Sequence, residues 1–205
     1  MLASALAHDP MPPHPSDAAM EERSLGLTDG DWIDAARDLL IREGIGTVRI
    51  DRIAKECGVS RGGFYWRFKN RDALLICLLD DWVAVNRAII DRAVVHPAMQ
   101  KKSAKDAILD LIALWNQQSG QSEYDLAVRG WAKTSSSALK ATQAIDADYI
   151  GGLVAQFHRH GFERADAEFR AFILYNHHLG LCTSLSFESP INDSSKDLAL
   201  FLLRL

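Results

Sequence analysis

The sequence predicts an all-α protein of about nine helices, in which a three-helix N-terminal module runs on into a larger helical bundle. Three observations lead there. Apolar residues recur at three- and four-residue steps along most of the chain, as in Ala104, Ala107, Ile108, Leu111, Ile112 and Trp115, the period of a helix with one buried face. No stretch of useful length alternates apolar and polar residues as a half-buried strand does. Capping residues and glycines fall where those periodic stretches begin and end.

The elements follow in order. Residues 1–27 hold four of the six prolines and no sustained period, which predicts a disordered tail. Thr28 and Asp31 have capping-box spacing and open a first helix, with Trp32, Ile33, Ala36, Leu39 and Leu40 inward and Gly44 and Gly46 at its end. A second helix covers about 50–57 with Ile50, Ile53 and Ala54 inward. Gly58 supplies a left-handed corner. Ser60 caps a third helix over about 61–67, with Phe64 and Phe68 inward at i and i+4.

From about Arg71 to Val95 one long helix carries Leu75, Leu78, Leu79, Trp82, Val85 and Ile89, and His96-Pro97 stops it. After the stripe ending at Trp115, a shorter helix is expected over 123–133. A long one follows over about 136–160, closed by Gly161, and another runs from Asp166 to about 186. Pro190 breaks the chain, and Ser194 with Asp197 caps a last helix to Leu205. The predicted organisation is thus a tail (1–27), a helix-turn-helix unit (28–72, the fourth helix linking from about 71) and a larger helical bundle (73–205), to which the family resemblance given below assigns ligand binding and dimerisation.

Charge sharpens this. The formal net charge is −4, yet residues 49–71 hold seven Lys/Arg against two Asp/Glu, a local excess of +5. A basic module on an acidic body turns one face toward a polyanion. Three cysteines at wide spacing, with no CxxC pair, argue against a disulfide framework and for a reducing cytoplasm. No apolar run reaches membrane-spanning length, and the absence of Lys or Arg before Arg23 argues against a secretory leader.

Residues 58–72, GVSRGGFYWRFKNRD, resemble the TetR/AcrR family of transcriptional repressors. The Gly-Val-Ser-Arg-Gly corner, the Phe-Tyr-Trp-Arg-Phe string and the following Lys-Asn-Arg-Asp stand in that family's order and spacing. The resemblance covers roughly residues 28–80. It implies a homodimer, an N-terminal domain that binds a double-stranded DNA operator, and a C-terminal domain that receives a small-molecule effector.

In the residues themselves, the third helix is built to enter a major groove by its amino end. Ser60, Arg61, Gly62 and Gly63 lie nearest that end. Arg61 suits a bidentate contact to guanine, and the two glycines allow close backbone approach while weakening the helix. Tyr65 and Trp66 are expected at sugar and phosphate. Arg67, Lys69 and Arg71 are expected at phosphates, and Arg49 and Arg52 at the backbone from the second helix. The competing reading makes Tyr65 and Trp66 core aromatics. Phe64 and Phe68 already occupy the inward positions, which disfavours it.

Residues 169–185 and 198–205 lack a polar face. Near a chain end such helices predict a dimer interface built from the last two helices, with two-fold symmetry. For the effector, Trp82, Trp115, Trp131, Tyr149, Phe172, Asn176 and His177 are candidate pocket residues, each also open to a plain core role. Gly151-Gly152 marks either close packing or room for a ligand. No cofactor is expected. His158, His160, His177 and His178 lack the i, i+4 spacing of helical metal ligands. No GxSxG or phosphate loop points to an enzyme. Besides a repressor released by an apolar ligand, control by a protein partner is the alternative.

Overall fold

A computed structural model describes residues 26–92, 101–117, 119–183 and 194–204. Among these residues the chain is all helical, with no strand. Helices α1 (Asp29–Glu43), α2 (Ile50–Glu56) and α3 (Arg61–Arg67) form the N-terminal module, with a 3₁₀ turn, Ile45–Thr47, between α1 and α2. Then come α4 (Arg71–Ile90), α5 (Ala104–Gln117), α6 (Ser119–Ala132), α7 (Ser136–His160), α8 (Arg164–Thr183) and α9 (Ser194–Leu202). These nine α-helices are the fold class that the periodicity predicts.

Local chemistry sets the boundaries. The Thr28 hydroxyl accepts from the Asp31 N–H at 3.3 Å, and the Asp31 carboxylate accepts from the Thr28 N–H at 2.7 Å, the reciprocal pair that opens α1. The Thr28 hydroxyl, donating to the Asp31 carboxylate at 2.7 Å, and then the Thr28 N–H hold the Asp31 carboxyl below its usual range. Gly58 turns the corner between α2 and α3 at φ 68°, a conformation that side-chain-bearing residues resist. Ser60 precedes α3, but its hydroxyl makes no capping bond. At α4 the cap is Asn70, whose carbonyl oxygen accepts from the Ala73 N–H at 2.9 Å. The helix expected at 123–133 starts earlier, at Ser119. A polar first turn, Ser119-Gly120-Gln121-Ser122, hides that start from an apolar-period reading. Residues 1–25 of the expected tail, the linker around His96-Pro97, the segment at Pro190 and Leu205 lie outside the described residues, whereas Leu27 at the tail's end packs against the core.

One apolar cluster connects the module to the bundle. It runs from Trp32, Phe64 and Phe68 through Leu74, Leu78 and Trp82 of α4 to Tyr149, Leu153 and Phe157 of α7 and Leu202 of α9. In the module Trp32 meets Phe64 edge-on at 5.6 Å, and Phe64 packs against Phe68 at 5.4 Å. Tyr124 of α6 is buried between module and bundle. Its hydroxyl donates to the Leu78 carbonyl at 2.7 Å, and Arg37 of α1 lies over its ring at 5.3 Å. Arg37 also pairs with Asp81 of α4 at 2.7 Å. Helices α1, α4 and α6 are thereby tied at one point.

Gly151 lies on an open face of α7, where an added Cβ meets nothing within 4 Å. Neither close packing nor ligand room explains it there. Gly151→Ala is expected to raise the unfolding free energy by about 1 kcal/mol, read by urea denaturation, because alanine in a helix interior costs less conformational entropy.

Candidate nucleic-acid interface and interior cavity

Along α3 the inward positions are filled by Phe64, fully buried, with Phe68 just beyond the helix end. The side chains between them must therefore turn outward. Tyr65 is 53% exposed and Trp66 82% exposed. Two large rings in water are costly unless something covers them. Arg61 and Lys69 are exposed beside them, and no hydrogen bond or ion pair ties either one among the described residues. Gly62 is exposed; Gly63 is buried.

The other cations expected at DNA are already engaged. Arg67 donates to the Leu27 carbonyl at 2.7 Å and pairs with Asp29 at 3.4 Å, fastening the end of α3 to the start of α1. Arg52 pairs with Glu43 at 2.7 Å, and Arg49 donates to the Gly46 carbonyl at 3.1 Å. Arg49 and Arg67 remain exposed and Arg52 is half-buried, and surface contacts of this kind hold a side chain only weakly. Arg71 differs. It is half-buried and donates to the carbonyls of Val48 and Ile45, at 2.5 Å and 2.9 Å. The expectation that Arg71 holds a phosphate gives way to a structural one: it braces the turn between α1 and α2 against α4. The signal was hidden because it depends on two backbone carbonyls more than 20 residues upstream. Lys55, exposed on α2 and unpaired among the described residues, was counted in the basic excess but not placed as a contact.

In the bundle, α4, α5, α6, α7 and α8 line a narrow cavity of about 30 Å³ that opens to solvent. Its walls include Asn86, Trp115, Asp125, Arg129, Tyr149, Tyr175 and His178. Of the seven residues expected at a pocket, Trp115 and Tyr149 are among them. Trp82 and Trp131 are buried elsewhere in the core, and Phe172 is 55% exposed on the outside of α8. Asn176 is exposed and spends its amide on the Phe172 carbonyl. His177 points its buried Nε2 at no partner among the described residues. On α8 the pocket face is that of Tyr175, His178 and Cys182, one residue round the helix from the expected one, and residue type alone does not distinguish the two faces.

Aromatic rings dominate the lining. His178 stacks on Trp115 at 3.9 Å and 8°, while Tyr149 stacks on Tyr175 at 5.4 Å. Arg129 sits among them between two carboxylates. Its Nε donates to Asp125 at 2.6 Å and its Nη2 to Asp146 at 2.7 Å. Burial disfavours the guanidinium's charge, but the bonds to Asp146 and the field of Asp125 outweigh it, and the Arg129 pKa rises. Burial pushes the Asp125 carboxyl up, against the pull of Arg129. The Tyr149 hydroxyl donates to Asn86 at 3.2 Å, and the Tyr175 hydroxyl to Asp146 at 2.7 Å. The Trp115 indole N–H has no acceptor in good geometry among the described residues, although it approaches the Tyr149 hydroxyl closely enough to lower that group's pKa against the raising effect of burial.

Burial, with the fields of Arg129 and His177, pushes His178 down to about 4. The imidazole is therefore neutral in the fold at pH values where an unfolded histidine, near 6.5, takes up a proton. Stability tied to His178 is present above about pH 6.5 and is lost as pH falls toward 4, at about 1.4 kcal/mol per unit. Between pH 7 and 5 the protein should lose about 2 kcal/mol more than His178→Gln, measured by urea denaturation of both at the two pH values.

Residues 33–77 match the family described as bacterial regulatory proteins, tetR family. Over 48 residues the chain is 35% identical to YerO, an HTH-type transcriptional regulator of Bacillus subtilis; that match covers 23% of this chain and 17% of YerO. The chain therefore spans about a sixth of that relative's length in the match. A transcriptional regulator of Pseudomonas aeruginosa PAO1 has a similar structure, with TM-score 0.69 and 18% identity over 90% of this chain and 94% of that one. SmeT, the repressor of the Stenotrophomonas maltophilia multidrug efflux pump SmeDEF, is similar at TM-score 0.60 and 19% identity, over 88% of both chains. The chain thus carries a tetR-family match across its helix-turn-helix, and along the described residues it shares the fold of solved transcriptional regulators.

Proposed function

We propose that the protein is a DNA-binding transcriptional repressor that works in the cytoplasm as a homodimer on a near-palindromic operator and is released by a small, largely apolar ligand. The observation that carries the DNA reading is the exposed surface of α3. Tyr65 and Trp66 stand in solvent beside Arg61 and Lys69, which have no partner among the described residues. Exposed rings beside unpaired cations suit the sugar-phosphate backbone, with Arg61 nearest the bases.

Homodimerisation is supported by a second apolar surface. The helix α8 buries Ala171, Leu174 and Tyr175 inward, yet Phe169 and Phe172 on its other side are 63% and 55% exposed, and Phe201 of α9 is 62% exposed. The same surface from a second copy would cover these rings and bring two α3 helices to adjacent major grooves, about 34 Å apart.

Ligand control is supported by the position of α6. Asp125 and Arg129 face the cavity, and Tyr124 holds α1 and α4 beside it. A cavity this narrow admits a ligand only if its walls part, and parting them moves the helix that carries Tyr124. The ligand shifts the population toward a form whose α3 spacing no longer fits the duplex.

Selection of bound fragments from genomic DNA tests this reading. A near-palindromic consensus recovered with the intact protein is expected. Recovery of unrelated fragments with no common sequence contradicts it.

A further inference from the structure

The cavity offers a ligand no net charge. Asp125 and Arg129 are the charged pair of its lining, and they bond to each other at 2.6 Å. Asp146 is not in the lining, yet it holds the rest of the guanidinium: both terminal nitrogens of Arg129 donate to it, at 3.3 Å and 2.7 Å. His178 is uncharged at neutral pH. An entering carboxylate therefore finds no free cation, and an entering ammonium group finds no free carboxylate. Either ion gives up its water for partners that are already taken, and the cost grows with burial.

Uncharged polar groups of the wall are engaged as well. Tyr149 donates to Asn86 at 3.2 Å, Asn86 to the Trp82 carbonyl at 3.0 Å and Tyr175 to Asp146 at 2.7 Å. Trp115 stands apart. It is 7% exposed, and its indole N–H is shut from solvent with no acceptor in bonding geometry among the described residues. A buried donor without a bond is a cost to the closed cavity. An oxygen that enters with a ligand, as the walls part, removes that cost without breaking a bond of the protein.

We propose that the ligand taken by this cavity is an uncharged, apolar molecule bearing a carbonyl oxygen, which accepts from the Trp115 indole N–H, and that ions of either sign are turned away by the self-neutralised Asp125–Arg129 pair. This rests on the reading of the cavity as the effector site. It does not depend on whether the occupied form leaves DNA.

The test uses four probes of matched planar shape against the full chain at pH 7: acetophenone, its hydrocarbon isostere α-methylstyrene, the anion benzoate and the cation benzamidinium. Affinities are read by calorimetry, and operator release by fluorescence anisotropy in parallel. Acetophenone should bind about tenfold or more tightly than either ion. In Trp115→Phe the ratio of acetophenone affinity to α-methylstyrene affinity should fall about fivefold or more, the value of one hydrogen bond to a buried donor. If that variant folds poorly, the unaltered protein labelled with 15N carries the same test: a tryptophan indole N–H signal should move further downfield with acetophenone than with α-methylstyrene. Binding of either ion as tight as that of acetophenone, an affinity ratio that Trp115→Phe leaves unchanged, indole signals that the two uncharged probes move alike, or binding of none of the four overturns the assignment. If an ion binds as tightly as acetophenone and frees the operator, ligand control survives and the assignment falls. If acetophenone binds with the expected selectivity and the operator stays bound, the assignment survives and ligand-induced release falls.

Discussion

Arg129→Ala should lower the unfolding free energy by about 3–5 kcal/mol, among the largest losses available to a single substitution in this chain. Arg129 neutralises Asp125 and Asp146 from one position and donates to both, and its Nη2 also reaches the Tyr175 hydroxyl at 3.1 Å. Without it, two carboxylates that are 13% and 32% exposed are left without a counter-charge. The loss has a pH signature. Burial already raises the Asp125 carboxyl above its ordinary range, and removing Arg129 raises it further. A carboxyl whose folded pKa lies above its unfolded one weakens the fold at neutral pH and recovers as pH falls through the folded pKa. The gap between Arg129→Ala and the unaltered protein, measured by urea denaturation, should therefore narrow in acid. Replacing all three charged residues by apolar ones of similar size should cost far less than Arg129→Ala alone, because no charge is then stranded.

Tyr65→Ala combined with Lys69→Ala should weaken operator binding about tenfold or more while leaving the fold intact, since both side chains project into solvent. The loss should fall on all DNA sequences alike. A dimer that gives up one phosphate contact per subunit also releases fewer counterions, so the slope of log affinity against log salt should flatten by about 1.8. Anisotropy titrations over a range of salt concentrations read both quantities. Arg71→Ala should behave differently, costing stability first, because Arg71 braces the carbonyls of Ile45 and Val48.

Much of the architecture is legible in the sequence because local chemistry decides it. The Thr28–Asp31 capping pair, the Gly58 corner and the inward Phe64 and Phe68 are set by residues within a few positions of one another. The long α7 is bounded by the Ser135 cap and by Gly161 at φ 116°. What the sequence hides depends on distant partners. Arg71 reads as a phosphate contact until two upstream carbonyls are seen to take it. Trp82 and Trp131 read equally as pocket or core residues until helix packing places them in the core. Asp125, Arg129 and Asp146 carry no motif, yet the pairing of α6 with α7 brings them together. The surfaces α8 buries and exposes, Tyr175 and His178 against Phe169 and Phe172, differ by a rotation that apolar content alone cannot fix.

Two copies of α3 reading one face of a duplex demand a fixed helical phase, and that demand is the most direct test. Binding is measured by anisotropy to the selected operator, and to the same operator with five base pairs inserted between its half-sites. The insertion turns one half-site to the opposite side of the duplex. Affinity should fall to the non-specific level, about 10³-fold or more. Affinity that ignores the insertion would contradict it.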